Sequence, residues 1–283
     1  MTSDSAPTAR TRHTEAVVES ASGGHVGSYY RPLGDGAYEP TIHVEGAWNP
    51  REQHMAPVSG LLAHAIESHE PREGMQLARV TYEILGMIPA ERSEVTVRTV
   101  RPGRTIELVE ATLDAGGRTV VRARAWRLAT HDSADVAGGA ADPLPDPESM
   151  PVWDGTRTWP GGYISSLEGR AATGNVPGRG QVWLRTGIGL IEGVEVSPTA
   201  AFLGLVDTAN GIVVRADPRA WMFPNVELSV HLHRRPVPGW VGFDTRVVID
   251  PDGIGLTAST LHDIGGPVGR SEQLLTVRRL PEG

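Results

Sequence analysis

Apolar and polar positions alternate through two separate blocks of the chain. The first block holds ARVTYEIL, SEVTVRTV, RTIELVEATL and RTVVRARAWRL; the second holds NVELSVHLH, VGFDTRVVI, IGLTASTLH and SEQLLTVRRL. In SEVTVRTV the residues Val95, Val97 and Thr99 fall on one side, and Glu94, Thr96 and Arg98 on the other. A period of two is the mark of half-buried strands. Turn residues separate the runs at matching places: Pro102-Gly103 and Asp114-Ala115-Gly116-Gly117 in the first block, Asp252-Gly253 and Asp263-Ile264-Gly265-Gly266 in the second. Each block therefore reads as an antiparallel meander of about four strands.

A short segment precedes each meander and is apolar almost all round. These are APVSGLLAHAIESHEP and SPTAAFLGLVDTANG. Both read as helices. Ser197 suits an N-cap, Pro198 the first helical position, and Asn210-Gly211 a stop. A helix with no polar face has to be covered on most sides, as a strongly curved sheet would do. The runs TIHVEGAW and QVWLRTGIGL, ahead of the helices, read as further strands. Each helix carries an acid seven residues after a small residue: Glu67 after Gly60, and Asp207 after Ala200.

The pattern is thus an internal repeat, and composition marks its seam. Thr130 to Gly155 is rich in Ala, Asp, Gly and Pro and lacks periodicity. The expected division is a polar N-terminal tail over 1–22, a first unit over 23–130, a linker over 131–155 and a second unit over 156–283. The two meanders are expected to pair edge to edge, which removes two open sheet edges.

Charge and cysteine content narrow the function classes. The 283 residues carry a formal charge of −8, so there is no basic footprint for nucleic acid. No cysteine is present, which excludes disulfides, thiolate metal sites and cysteine nucleophiles. The N-terminal segment has no signal-peptide pattern and no apolar run is long enough to span a bilayer, so a cytoplasmic protein is expected. The motif GxSxG of serine hydrolases is absent. His231 and His233 share a strand face, but no third ligand stands at metal-binding spacing.

Strand, buried helix with a small-residue start and an acid seven positions on, then a meander: this sequence resembles the hotdog fold of acyl-CoA thioesterases. Two copies in one chain resemble the double-hotdog, type II thioesterases, over roughly Gly27 to Leu280. The resemblance implies an α+β fold of two antiparallel curved sheets, each wrapped around a central helix. The first half is similar to domains carrying W…QH…P…LLA…E, here Trp48, Gln53, His54, Pro57, Leu61, Leu62, Ala63 and Glu67. In the second half the family has an Asp in the helix, a Thr at the start of the next strand and a Gln in the last strand. Asp207 and Gln273 match; the Thr position falls on Asn225.

Thioester hydrolysis needs an aimed water and donors for the developing oxyanion. Asp207 is the expected base, with Gln273 and Asn225 as amides that fix the water. Gly60 and Ala200 would let a carbonyl approach helix N-termini, and His54 and Glu67 are expected to contact substrate. Trp126 and Trp221 are candidates to line an acyl pocket. Coenzyme A enters only as part of an acyl-CoA substrate. No metal or retained cofactor is expected, and a homodimer is admitted. Two alternatives stay open: a hotdog hydratase or dehydratase using His54 with Glu67, and a non-catalytic module that binds acyl groups or small ligands.

Overall fold

The structure, a computed structural model, describes residues 27–280. The expected tail over 1–22 lies outside them. The chain opens with a hairpin of β1 (Ser28–Gly34) and β2 (Ala37–Pro40), a 3-10 turn at Ile42–Val44, and α1 (Met55–Ser68). The first meander follows as β3 (Met75–Ile84), β4 (Ser93–Arg101), β5 (Ile106–Ala115) and β6 (Arg118–Ala129). Residues 130–151 form no strand, and two short 3-10 turns interrupt them. This segment is anchored rather than free: Trp183 Nε1 donates to Pro145 O at 2.9 Å, and Met150 packs with Trp183 and Trp240.

The second half repeats the plan with embellishments. It contains β7 (Val152–Trp153), α2 (Gly162–Ser165), β8 (Leu167–Ala171), β9 (Arg179–Thr186), β10 (Gly189–Ile191), α3 (Pro198–Val206) and α4 (Ala209–Ile212). Then come β11 (Trp221–Met222) and the meander β12 (Glu227–Leu232), β13 (Val241–Ile249), β14 (Ile254–Asp263) and β15 (Gly266–Thr276), closed by β16 (Arg278–Arg279).

The two halves pair edge to edge, as expected, into one sheet. Fourteen strands run β10-β1-β2-β4-β5-β6-β3-β12-β15-β14-β13-β9-β8-β7, with β11 and β16 paired separately. The halves join between β3 and β12 in antiparallel register, Val80 opposite Val230. Edge-to-edge pairing satisfies backbone groups that two separate sheets would leave open. The sheet is not wholly antiparallel, because β1 pairs in parallel with β10 of the other half. TIHVEGAW is not a strand: Thr41 accepts from His43 N and caps the 3-10 turn. The strands ahead of α1 are β1 and β2 instead.

Both meanders keep one register down to their irregularities. Leu113 pairs with Val121 at a bulge next to the first hairpin, and Leu261 with Gly269 at a bulge next to the second. The hairpin glycines Gly116, Gly117 and Gly266 adopt the positive φ that these turns require.

The helices pack on each other at the centre. In α1 the residues Leu61, Leu62 and Ile66 are fully buried, each contributing about 1.5–3 kcal/mol through removal from water. The crossing point is Gly60 against Gly204. A Cβ on Gly60 would sit 2.9 Å from Gly204 Cα and 3.0 Å from Ala200 O, both backbone atoms. Gly60→Ala therefore forces the helices apart, and the expected loss is about 1–3 kcal/mol, read as a lower midpoint in urea unfolding.

Candidate active site

Asp207 does not lie inside the helix. α3 ends at Val206, and Asp207 is its C-cap, followed directly by Thr208 and α4. Ser197 does cap the start, accepting from Ala200 N at 3.0 Å, with Pro198 in the first turn. The C-cap position puts a carboxylate at the end of a buried helix, where the chain turns and side chains from the sheet can reach it. Asp207 is 5% exposed.

Two amides converge on one of its oxygens. Asn225 Nδ2 donates to Oδ1 at 2.8 Å, and Gln273 Nε2 donates to the same Oδ1 at 3.0 Å. Gln273 Nε2 also reaches the Asp207 backbone oxygen at 3.0 Å. The sheet fixes both donors. Gln273 points inward from β15 and is fully buried. Thr276 N donates to Pro224 O at 3.0 Å, and Asn225 bridges to Leu275, so the approach to β12 is held against β15. Burial raises the Asp207 pKa to about 6, and the two amide donors oppose part of that rise.

The other oxygen, Oδ2, receives no hydrogen bond from a described residue. It faces the first half, where His54 Nδ1 lies 3.8 Å away. This approach is not an ion pair. Nδ1 accepts the backbone N–H of Ala56 at 3.1 Å as the N-cap of α1, and burial pushes the imidazole down to about 3. The ring stacks on Tyr163 with centroids 4.2 Å apart. Tyr163 in turn shares a 2.6 Å hydrogen bond with Thr208, the residue after the acid.

Asp207, Asn225 and His54 border a cavity of about 590 Å³. Gln273 stands behind Asp207 rather than on its surface. Trp48, Trp159 and Phe223 also line the cavity and meet edge to face, with centroids 4.9 to 5.9 Å apart. Trp126 and Trp221 do not line it. Trp126 faces out from β6 under Arg101, and Trp221 lies under Arg279. Both stand on strands, where the side-chain face follows the pleat, and a local run of two or three residues does not fix which face is inside.

Glu67, Gly60 and Ala200 are not brought to this cavity. Glu67 accepts a hydrogen bond from Ser197, the N-cap of α3. The arrangement mirrors the first site: each helix N-cap meets the acid of the other helix. The mirror stops at the sheet. Four residues beyond the bulge, the inward pair is Thr257 with Gln273 in the second half but Val109 with Ala125 in the first. No amide is available there for Glu67. His54 and Glu67 are also separated by almost the whole of α1, about 20 Å along its axis. Tyr163, Thr208, Trp159 and Phe223 had no signal in the sequence; Trp48 stood within the resemblance but with no role.

Comparison with known proteins bears on the family and the fold. Residues 44–128 match the model of the acyl-CoA thioesterase N-terminal domain, and residues 139–277 that of the acyl-CoA thioesterase C-terminal domain. No curated protein matches the chain in sequence. Among solved structures, a candidate thioesterase II from Thermobifida fusca YX is 20% identical, covers 90% of this chain and all of its own, and superposes with a TM-score of 0.70. A conserved protein with a hot dog fold from Alicyclobacillus acidocaldarius is 16% identical, over 89% of this chain and 96% of its own, with a TM-score of 0.70. The acyl-CoA thioesterase II TesB2 of Mycobacterium marinum is 14% identical, over 89% and 96%, with a TM-score of 0.62. At these identities the structures establish a hotdog fold. With an N-terminal and a C-terminal thioesterase domain in tandem, this chain belongs to the acyl-CoA thioesterase family.

Proposed function

We propose that the protein is a double-hotdog acyl-CoA thioesterase, with units over 23–130 and 156–283 joined by 131–155, that hydrolyses its substrate at Asp207. The observation that carries this reading is the division of labour on one buried carboxylate. Oδ1 is held by Asn225 and Gln273, and Oδ2 is left toward a cavity walled by aromatic rings. A water on Oδ2 would lose a proton to the carboxylate as its oxygen bonds the thioester carbon. The carbonyl electron pair moves onto oxygen, and its return expels the thiolate, which takes the proton from Asp207. A carboxylate whose pKa lies near 6 is a stronger base than an exposed one and is still ionised at neutral pH.

Asn225 fits this role although the family pattern has Thr there. A hydroxyl and an amide N–H can both donate to Oδ1, so the departure preserves the donor. Coenzyme A belongs to the substrate in this reading. Among the described residues no helix is long and apolar enough to cross a membrane.

The test is release of free thiol from an acyl-CoA series running from acetyl to palmitoyl. Failure of the wild-type protein with every member would favour the binding-module reading. Glu67→Gln separates the halves. Turnover is expected to stay within about twofold of wild type, because Glu67 meets Ser197 and not the cavity. Collapse of turnover in a normally folded Glu67→Gln protein would move the chemistry to the first half.

A further inference from the structure

The N-terminus of α1 borders the cavity but has few free donors. An α-helix leaves its first backbone N–H groups without intrahelical partners. Here Ala56 N–H is bonded to His54 Nδ1, and the third helical residue is Pro57, which has no N–H. Only the N–H of Met55 remains in that turn. An oxyanion held by one backbone donor is poorly stabilised, since such sites ordinarily combine two or more.

His54 offers the second. Because Nδ1 accepts a hydrogen bond, the proton of the neutral ring resides on Nε2. Nε2 has no partner among the described residues. The ring lines the cavity and is locked twice, by the cap at one edge and by the stack on Tyr163 across its face. Burial opposes protonation, and the positive end of α1 adds to that opposition. A ring so held stays a donor and does not become an acid that could protonate Asp207.

We infer that His54 is a catalytic residue whose Nε2–H donates to the thioester carbonyl oxygen as that oxygen gains charge. The inference rests on the hydrolase reading for its substrate. It places the two actors on different halves: Asp207 and its amides come from the second, the oxyanion donor from the first. The side of the carbonyl facing His54 receives the negative charge, and the side facing Asp207 Oδ2 receives the water.

The decisive probe is an acyl-CoA analogue with a methylene between sulfur and a ¹³C-labelled carbonyl, which cannot be hydrolysed. Bound to wild type, its carbonyl stretch is expected at lower frequency than in water, and the shift should largely vanish in His54→Asn. Asn is a strong N-cap and keeps the start of α1, but its amide ends short of the Nε2 position. Turnover of the same variant should fall by about 10²–10³-fold with KM little changed. The wild-type ring gives an independent readout that needs no variant. Its ¹⁵N shifts should report protonated Nε2 and bare Nδ1, unchanged between pH 5 and 8. A proton on Nδ1, a wild-type carbonyl that does not shift, or a His54→Asn protein with unaltered kcat would each overturn the inference. If the carbonyl shifts but no acyl-CoA is hydrolysed, the donor stands and the hydrolase reading falls.

Discussion

Asp207→Asn is expected to lower acyl-CoA hydrolysis by about 10²–10⁴-fold, the range for loss of a general base. The amide is nearly isosteric, so the fold should persist and acyl-CoA should still bind. The wild-type pH profile should identify the same group. Activity is expected to rise tenfold per pH unit below about 6 and to level off above it, following ionisation of Asp207. The sign for stability is opposite. The folded chain binds this proton more tightly than the unfolded chain, whose Asp titrates near 3.8, so the carboxylate destabilises the fold above about pH 6. That penalty is relieved as pH falls toward 3.8. Asp207→Asn should therefore be at least as stable as wild type at pH 8, measured by urea unfolding. An inactive but more stable variant would separate a catalytic from a structural carboxylate; full activity in Asp207→Asn would refute the mechanism.

Arg127→Leu is expected to destabilise the protein by about 3–5 kcal/mol, the usual effect of removing one partner of a buried ion pair. Arg127 is 4% exposed on the inner face of β6. Its guanidinium binds Glu107, which is equally buried, and donates to His69 O at 2.7 Å and Ile66 O at 3.3 Å. It therefore neutralises a carboxylate on β5 and caps the C-terminal carbonyls of α1. Arg72 also reaches Glu107 at 2.8 Å, but from a more exposed position, and cannot replace both roles. The double variant Glu107→Leu with Arg127→Leu should recover much of the loss, because it leaves no unpaired buried charge. Unfolding midpoints of the two single variants and the double variant form the cycle that checks this.

The halves use one strand register for different ends. The inward pair Val109 and Ala125 lets the first half build a dry core with Arg127 clamping its helix. The inward pair Thr257 and Gln273 makes the corresponding region of the second half polar. Conversion of Ala125 to Gln would not restore a site, because Glu67 is already engaged by Ser197.

Features set by neighbours in the chain were readable from the sequence. Alternation in SEVTVRTV and VGFDTRVVI gave the strands, Ser197-Pro198 the start of α3, and the Gly pairs the hairpins, because each depends on backbone preferences within a few residues. The repeat itself was legible for the same reason, as was Asp207 as a carboxylate at an unfavourable place. Tertiary structure decided the rest. A strand sequence gives two faces but not which faces inward, so Trp126 and Trp221 could not be told apart from the lining residues Trp159 and Phe223. The end of α3 at Val206 depended on packing, since the stop that the sequence offers, Asn210-Gly211, lies several residues further on. Asn225 and Gln273 meet on one oxygen only because β12 and β15 are neighbours in the sheet. His54 reaches Asp207 across 153 positions of sequence because two glycines, Gly60 and Gly204, let the helices touch backbone to backbone. Local preference fixes elements, but a site assembled from both halves forms only where long-range burial brings their ends together.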